Sequence, residues 1–231
     1  MHPDRIAELL EPFLASRSLT ACHSEQGSGE EPAVLSSDQL HHISTYIDLL
    51  LRWNARINLT AIRDPEEIVT RHFGESLFAA RQLFPGSSAS SLARMSKVAD
   101  LGSGAGFPGL PIKLWAPQIS LTLVESNQRK ATFLREVSRA LTLTSIDILA
   151  VRAEALVGVN FDVVTLRAVE RFDAILPVAT RLVSQEGRLA LLIGSGQSEG
   201  ARSHADQFSW GSLLPIPGSK SRVLAIGARI K

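Results

Sequence analysis

The chain has 231 residues, 45% of them hydrophobic, and a formal net charge of +1. That length suits one large domain, or a compact domain with an appendage, and the apolar share is enough to bury a core. Near-neutrality excludes a strongly cationic nucleic-acid scaffold but leaves room for a local arginine patch, and the single cysteine, Cys22, can build neither an internal disulfide nor a zinc site by itself. Asp4, Glu8 and Glu11 interrupt the apolar residues of the N-terminus, unlike a signal peptide, and no apolar run approaches the roughly 20 residues that span a bilayer. The expectation is a soluble, cytoplasmic monomer with no membrane partner and no metal.

In chain order, Ile6, Leu9, Leu10 and Phe13 share one helical face. Thr20 to Pro32, rich in Ser, Gly and Glu, reads as a flexible loop. Ser36 with Gln39 forms a capping box and opens a helix striped by Leu40, Ile43, Ile47, Leu50 and Leu51. Trp53 continues towards Asn58-Leu59-Thr60, where Asn58 marks a break. Asp64-Pro65-Glu66-Glu67 opens a third helix, with Asp as cap and Pro in the first position. Its buried side is Ile68, Val69, Phe73, Leu77 and Phe78, and Pro85-Gly86-Ser87-Ser88 ends it. Residues 1–90 are thus expected to form a helical N-terminal region.

From Lys97 onward strands and helices alternate. Strands are predicted at Val98 to Leu101, Ser120 to Glu125, Ile146 to Val151, Phe161 to Leu166, Arg188 to Ile193 and Val223 to Ile230. Helices are predicted at Leu110 to Trp115, Gln128 to Leu141 and Ala174 to Val183. Such alternation predicts an α/β fold over 91–231, a mainly parallel Rossmann-like sheet with helices on both faces.

Ligands of such sheets bind at the carboxyl ends of the strands. The first strand ends in Asp100-Leu101-Gly102-Ser103-Gly104-Ala105-Gly106, whose glycines let backbone approach a ligand. Glu125 ends the second strand 19 residues after Gly106, near the spacing of an acid that binds a ribose diol. It is the candidate ribose ligand, or else the N-cap of the helix from Gln128. Gly104 to Gly109 also matches the dinucleotide pattern G-x-G-x-x-G, which keeps a nicotinamide-dependent oxidoreductase as an alternative. Asp100, suited to a cationic amino-acid group, and the presence of one nucleotide-binding half favour S-adenosylmethionine. Ala153-Glu154 after the third strand is placed to flank adenine, or to start a helix. Arg167 ends the fourth strand and either faces the cleft or pairs with a helix. His41 and His42 read as surface residues, and His72 is open between roles. Hydrolase signatures such as G-x-S-x-G and H-E-x-x-H are absent.

The ordered set Trp53-Asn54, Asn58-Leu59-Thr60, Arg63-Asp64-Pro65, Arg71-His72 with Glu75-Ser76, Asp100 to Gly109, Phe133-Leu134 and Arg167-Ala168 resembles the glucose-inhibited division protein B family, bacterial guanine-N7 methyltransferases of 16S ribosomal RNA in the small ribosomal subunit. The resemblance runs from about Ser37 to Lys231. It implies a methyltransferase with S-adenosylmethionine held at Gly102, Phe107, Ala153-Glu154 and Arg167, to which the residues themselves add Gly104, Gly106 and Glu125. His72 and Arg167 are the candidate guanine contacts. The chain departs from the family at Glu75, usually Asp, and at Ile193-Gly194, often Lys-Gly, which puts a basic contact to RNA or cofactor in question and motivates a non-catalytic assembly factor as another alternative. Guanine N7 carries a free lone pair, so no proton-transfer residue is nominated.

Overall fold

The computed structural model describes residues 1–15, 34–85, 96–169 and 172–230. Helix α1 spans Pro3–Leu14 and buries Ile6, Leu10, Phe13 and Leu14, the spacing of one helical face. Helix α2, Ser37–Asn54, starts with the expected capping box: Gln39 N donates to Ser36 Oγ at 3.2 Å and Ser36 N donates to Gln39 Oε1 at 2.7 Å. The break after α2 comes from Asn54 rather than Asn58. Its Oδ1 accepts from Leu59 N at 2.9 Å and Thr60 N at 3.1 Å, and its Nδ2 donates to Thr60 O at 2.9 Å. Three backbone groups of Leu59 and Thr60 find their partners there, outside regular structure.

The third predicted helix is three consecutive segments. Helix α3, Pro65–Ile68, is capped by Asp64, whose Oδ1 accepts from Glu67 N at 2.8 Å. A π-helical turn, Val69–Gly74, follows, and then α4, Glu75–Leu83. The widened turn holds Val69, His72 and Phe73 all buried, and π turns of this kind recur at functional sites. Gly74 closes it because α1 leaves no space: a Cβ there would stand 2.6 Å from the Phe13 ring. Helix α4 ends before Pro85; Gly86-Ser87-Ser88, the loop Thr20 to Pro32, Cys22 and the boundary at 90–91 lie outside the described residues.

The strands are β1 (Lys97–Leu101), β2 (Ser120–Val124), β3 (Ile146–Leu149), β4 (Phe161–Arg167), β5 (Val183–Gly194), β6 (Phe208–Trp210), β7 (Leu214–Pro215) and β8 (Arg222–Arg229). They lie in the order β3-β2-β1-β4-β5-β8-β6, with β7 also on β8. Strands β1 to β5 pair in parallel, and β8 runs antiparallel to β5. Helices α5 (Gly109–Trp115), α6 (Gln128–Ala140) and α7 (Phe172–Leu182) make crossovers, and a short α8 (Ser198–Ser203) precedes β6. The order reverses between neighbours β1 and β4, which opens a crevice at their carboxyl ends. Strand β5 begins five residues earlier than expected: Val183, expected to end the preceding helix, instead pairs with Phe161 across a register shift. The short α8, β6 and β7 carry too few periodic residues to be read from sequence.

Burial is two-sided, as parallel sheets require. Val98, Leu121, Leu123, Val163 and Leu192 pack towards α1 to α6, in one continuous core with Ile43, Tyr46, Phe73 and Leu77. Leu101, Val164, Leu166, Leu189 and Leu191 face Leu176, Ala179 and Leu182 of α7. The N-terminal helices therefore share their core with the sheet. Removing the Asn54 side chain leaves buried backbone donors unpaired, so Asn54→Ala is expected to lose about 2–3 kcal/mol of stability in urea denaturation. Asn54→Asp, which keeps both acceptor bonds, should lose less.

Candidate active site

The turn after β1 is braced from below. Gly102 N and Ser103 N donate to Val124 O at 2.8 and 3.1 Å, which ties the turn to β2. Asp100 is 1% exposed, and its carboxylate accepts from Gly109 N at 3.1 Å and Thr165 Oγ1 at 2.9 Å. Burial pushes its pKa up to about 6, against the pull of the Thr165 and Gly109 bonds. Asp100 does not line the cleft, so it is not placed to meet a cationic ligand group as its strand-end position suggests; it ties the start of α5 to β4. Gly106 also sits beneath the turn. Its φ of +90° favours glycine, and a Cβ would meet Leu110 Cδ1 at 2.7 Å and the Tyr46 hydroxyl. That hydroxyl donates to Ala105 O, so α2 clamps the turn directly.

Glu125 follows β2 with both oxygens placed. Oε2 accepts from Gly104 N at 2.9 Å and Oε1 from Asn127 N at 2.7 Å. The cap of α6 is Asn127, whose Oδ1 accepts from Arg129 N and Lys130 N at 2.9 and 3.2 Å. Each Glu125 oxygen keeps lone-pair capacity for a further donor. Ala153 and Glu154 lie in a single 3-10 turn after β3 rather than a longer helix.

Opposite them stands a network that joins β4 to the π turn. Arg167 donates through Nη2 to Arg71 O at 2.8 Å, His72 Nδ1 at 3.1 Å and Glu75 Oε2 at 3.1 Å. His72 Nδ1 must therefore be the acceptor nitrogen, and Nε2–H donates to Thr60 Oγ1 at 2.8 Å. Desolvation, with Arg167, Arg71 and Arg222 nearby, lowers the His72 pKa to about 3, so the ring is neutral. It stacks on Phe107 at 4.8 Å, and Phe107 stacks on Tyr46 at 5.3 Å with the rings 4° from parallel. Arg167 thus meets both sequence alternatives: it pairs with the helix and it lines the cleft.

The cleft has a volume of about 600 Å³, within the range of small-molecule sites. Gly102, Gly104, Phe107, Glu125, Ala153, Glu154, His72 and Arg167 all line it. Gly106 does not. Thr60, Asn127, Lys130, Val151 and Val169 also contribute, beyond the candidates that the sequence points to. Of these, Thr60 carries a signal through the Asn58-Leu59-Thr60 motif, as does Leu59, which also lines the cleft. His41 is exposed on α2, away from the cleft lining.

Residues 39–216 match the family model described as rRNA small subunit methyltransferase G. The chain belongs to that family. Ribosomal RNA small subunit methyltransferase G of Xylella fastidiosa (strain 9a5c) is 41% identical over 165 residues, 70% of this chain and 73% of that protein. Among solved structures, a predicted O-methyltransferase, protein Atu636 of Agrobacterium tumefaciens, has a TM-score of 0.52 at 21% identity, covering 63% of this chain and 78% of that one. A mutant of MtNAS in complex with S-adenosylmethionine has a TM-score of 0.55 at 14% identity, covering 84% of this chain and 72% of that one. Both share the fold. Family membership sets aside the dinucleotide parse of the glycine run.

The family's cofactor fits this cleft on its chemistry. A carboxylate with lone pairs to spare and a glycine turn that admits close backbone approach converge on one cavity at the switch point. The low His72 pKa also has a stability signature. Between about 3 and 6.5 the unfolded chain takes up a proton that native His72 refuses, so this contribution is complete above about 6.5 and is lost as pH falls towards 3. Asp100 opposes it, gaining native-state protons as pH falls through about 6. The difference between the parent and His72→Gln isolates the first effect: the variant's stability should fall less steeply between pH 6.5 and 3, measured by denaturant unfolding across that range.

Proposed function

We propose that this chain transfers a methyl group from S-adenosylmethionine to N7 of a guanine in the 16S RNA of the small ribosomal subunit. The reading rests on one observation: the matched span 39–216 contains every lining residue of the cleft. Bound S-adenosylmethionine would supply an electrophilic methyl on its sulfonium. Glu125 accepts the ribose hydroxyls with its remaining lone pairs, and its bonds to Gly104 N and Asn127 N hold it in the required orientation. Ala153 and Glu154 would hold the adenine, and Gly102, Gly104 and Phe107 the amino-acid end, with Gly106 supporting the turn from below.

The residues around the acceptor position bind and orient; none moves a proton. Guanine N7 already presents a lone pair. Both His72 nitrogens are engaged and the ring is neutral, which matches a reaction without a general base. Catalysis is then alignment, which can supply on the order of 7 kcal/mol. Arg167 lines the cleft, where its guanidinium would meet the guanine or the cofactor carboxylate. Single-stranded or loop RNA is the suitable form, because the A-form duplex buries N7 in a deep, narrow groove.

Mapping of 7-methylguanosine in small-subunit RNA from cells with and without the gene should show one site lost; an unchanged map refutes the assignment. In isothermal titration, Glu125→Ala should weaken S-adenosylmethionine by roughly 10-fold or more, the worth of a charge-assisted hydrogen bond. Arg167→Ala should lower cofactor affinity or methylation rate, and no change in either would remove it from the site.

A further inference from the structure

A second cleft of about 390 Å³ adjoins the first and shares Ala168 and Val169 with it. It lies over the carboxyl end of β5 and the start of β8. Ile193 and Gly194 come from β5, Arg222 from β8, Arg71 from the π turn and Phe172 from α7. Gly194 and Arg222 are paired across the ladder, so strand register places that arginine. Ile193, buried in the core, brings no charge here, and the cation at this strand end comes from Arg222 instead.

The charge around it is unbalanced. Arg222 Nη2 lies 3.1 Å from Glu75 Oε2, Arg167 Nη2 lies 3.1 Å from the same oxygen, and Arg71 Nε lies 3.4 Å from Glu75 Oε1. Three guanidiniums thus share one carboxylate whose side chain is 2% exposed, and only Arg71 has a second carboxylate, the more exposed Glu67 at 3.6 Å, among the ion pairs of the described residues. Neutral His72 adds no charge. The second cleft has no carboxylate among its described lining residues. The Nε of Arg222, which lines this cleft, is buried without a hydrogen-bond partner among the described residues. Holding guanidiniums together against their repulsion, with a donor unmet, is costly. An anion in the cleft would offset both terms.

The anion's source follows from the sheet. The glycine turn and Glu125 hold their ligand over β1 and β2, so an acceptor enters from the β4 and β5 side, where the second cleft lies. Arg71 and Arg222 line only that cleft, not the first. The cofactor carboxylate belongs to the first, whereas an RNA acceptor brings a phosphate with every nucleotide. We propose that the second cleft seats a phosphate of the acceptor strand, with Arg222 and Arg71 as its ligands, which rests on RNA being the acceptor.

The test is binding of a fluorescein-labelled single-stranded RNA oligonucleotide across a salt series, with S-adenosylmethionine affinity measured alongside. Arg222→Gln should weaken RNA binding about tenfold at low salt and lower the slope of log K against log salt by about 0.7, the loss of one phosphate contact. Arg222→Lys should keep the slope, and both variants should bind cofactor as the parent does. A parental slope in Arg222→Gln, or a joint loss of cofactor and RNA binding, overturns the proposal. Methylation of small subunits, assayed separately, distinguishes the two readings. An Arg222-dependent slope without 7-methylguanosine keeps the phosphate site and refutes the methylation; methylation with an unaltered slope does the reverse.

Discussion

The buried carboxylate of Glu75 is the constraint on which the arginine-lined side of the cleft depends. It gathers Arg71 from its own helical run, Arg167 from β4 and Arg222 from β8. Those elements are far apart in sequence, and no other charged contact found among the described residues joins all three. A buried ion pair stabilises little on balance, but breaking it by removing one partner costs about 3–5 kcal/mol. The arrangement is better understood as a device for position than for stability. It fixes where β4 ends and where the arginine donors lie.

The glycine turn depends on a column of rings. His72, Phe107 and Tyr46 stack in sequence, and Phe73 meets both Tyr46 and Phe107 edge-on. Phe107 belongs to the glycine turn, and the other rings belong to the N-terminal helices. The Tyr46 hydroxyl then bonds the turn at Ala105. The helical region therefore forms one wall of the site. It shares the sheet's core, presents His72 and Thr60 to the cleft, and its π turn lets the same segment bury Phe73 and Val69 while His72 reaches Arg167.

Much of this is legible in the residues alone. The Ser36 and Asp64 caps, the buried faces of α1 and α2, the alternation of strand and helix and the Gly-rich turn all follow from local rules. Spacing and family resemblance point to Glu125, Phe107, Ala153, Glu154, His72 and Arg167, and these line one cavity. Asp100 favours the cofactor that the family uses, but its bracing of Gly109 and Thr165 is hidden, because a strand-end acid looks the same in sequence whether it points up into a cleft or down into a brace. Gly106 reads as a ligand contact, whereas its φ and the closeness of Leu110 and Tyr46 account for it. Tyr46 carries no signal of its own, since on its helix it is one more residue of an apolar face.

Short-range periodicity and ordered motifs are enough to establish the alternation of elements, the position of the turn and the family. How side chains from distant segments meet is a matter of strand register and helix packing, which those patterns do not encode. The sharing of Glu75 among three arginines, the tautomer of His72 and the second cleft beside the first emerge only in the folded chain. Those contacts join residues up to 147 positions apart, from Glu75 to Arg222, a separation across which no local pattern carries information.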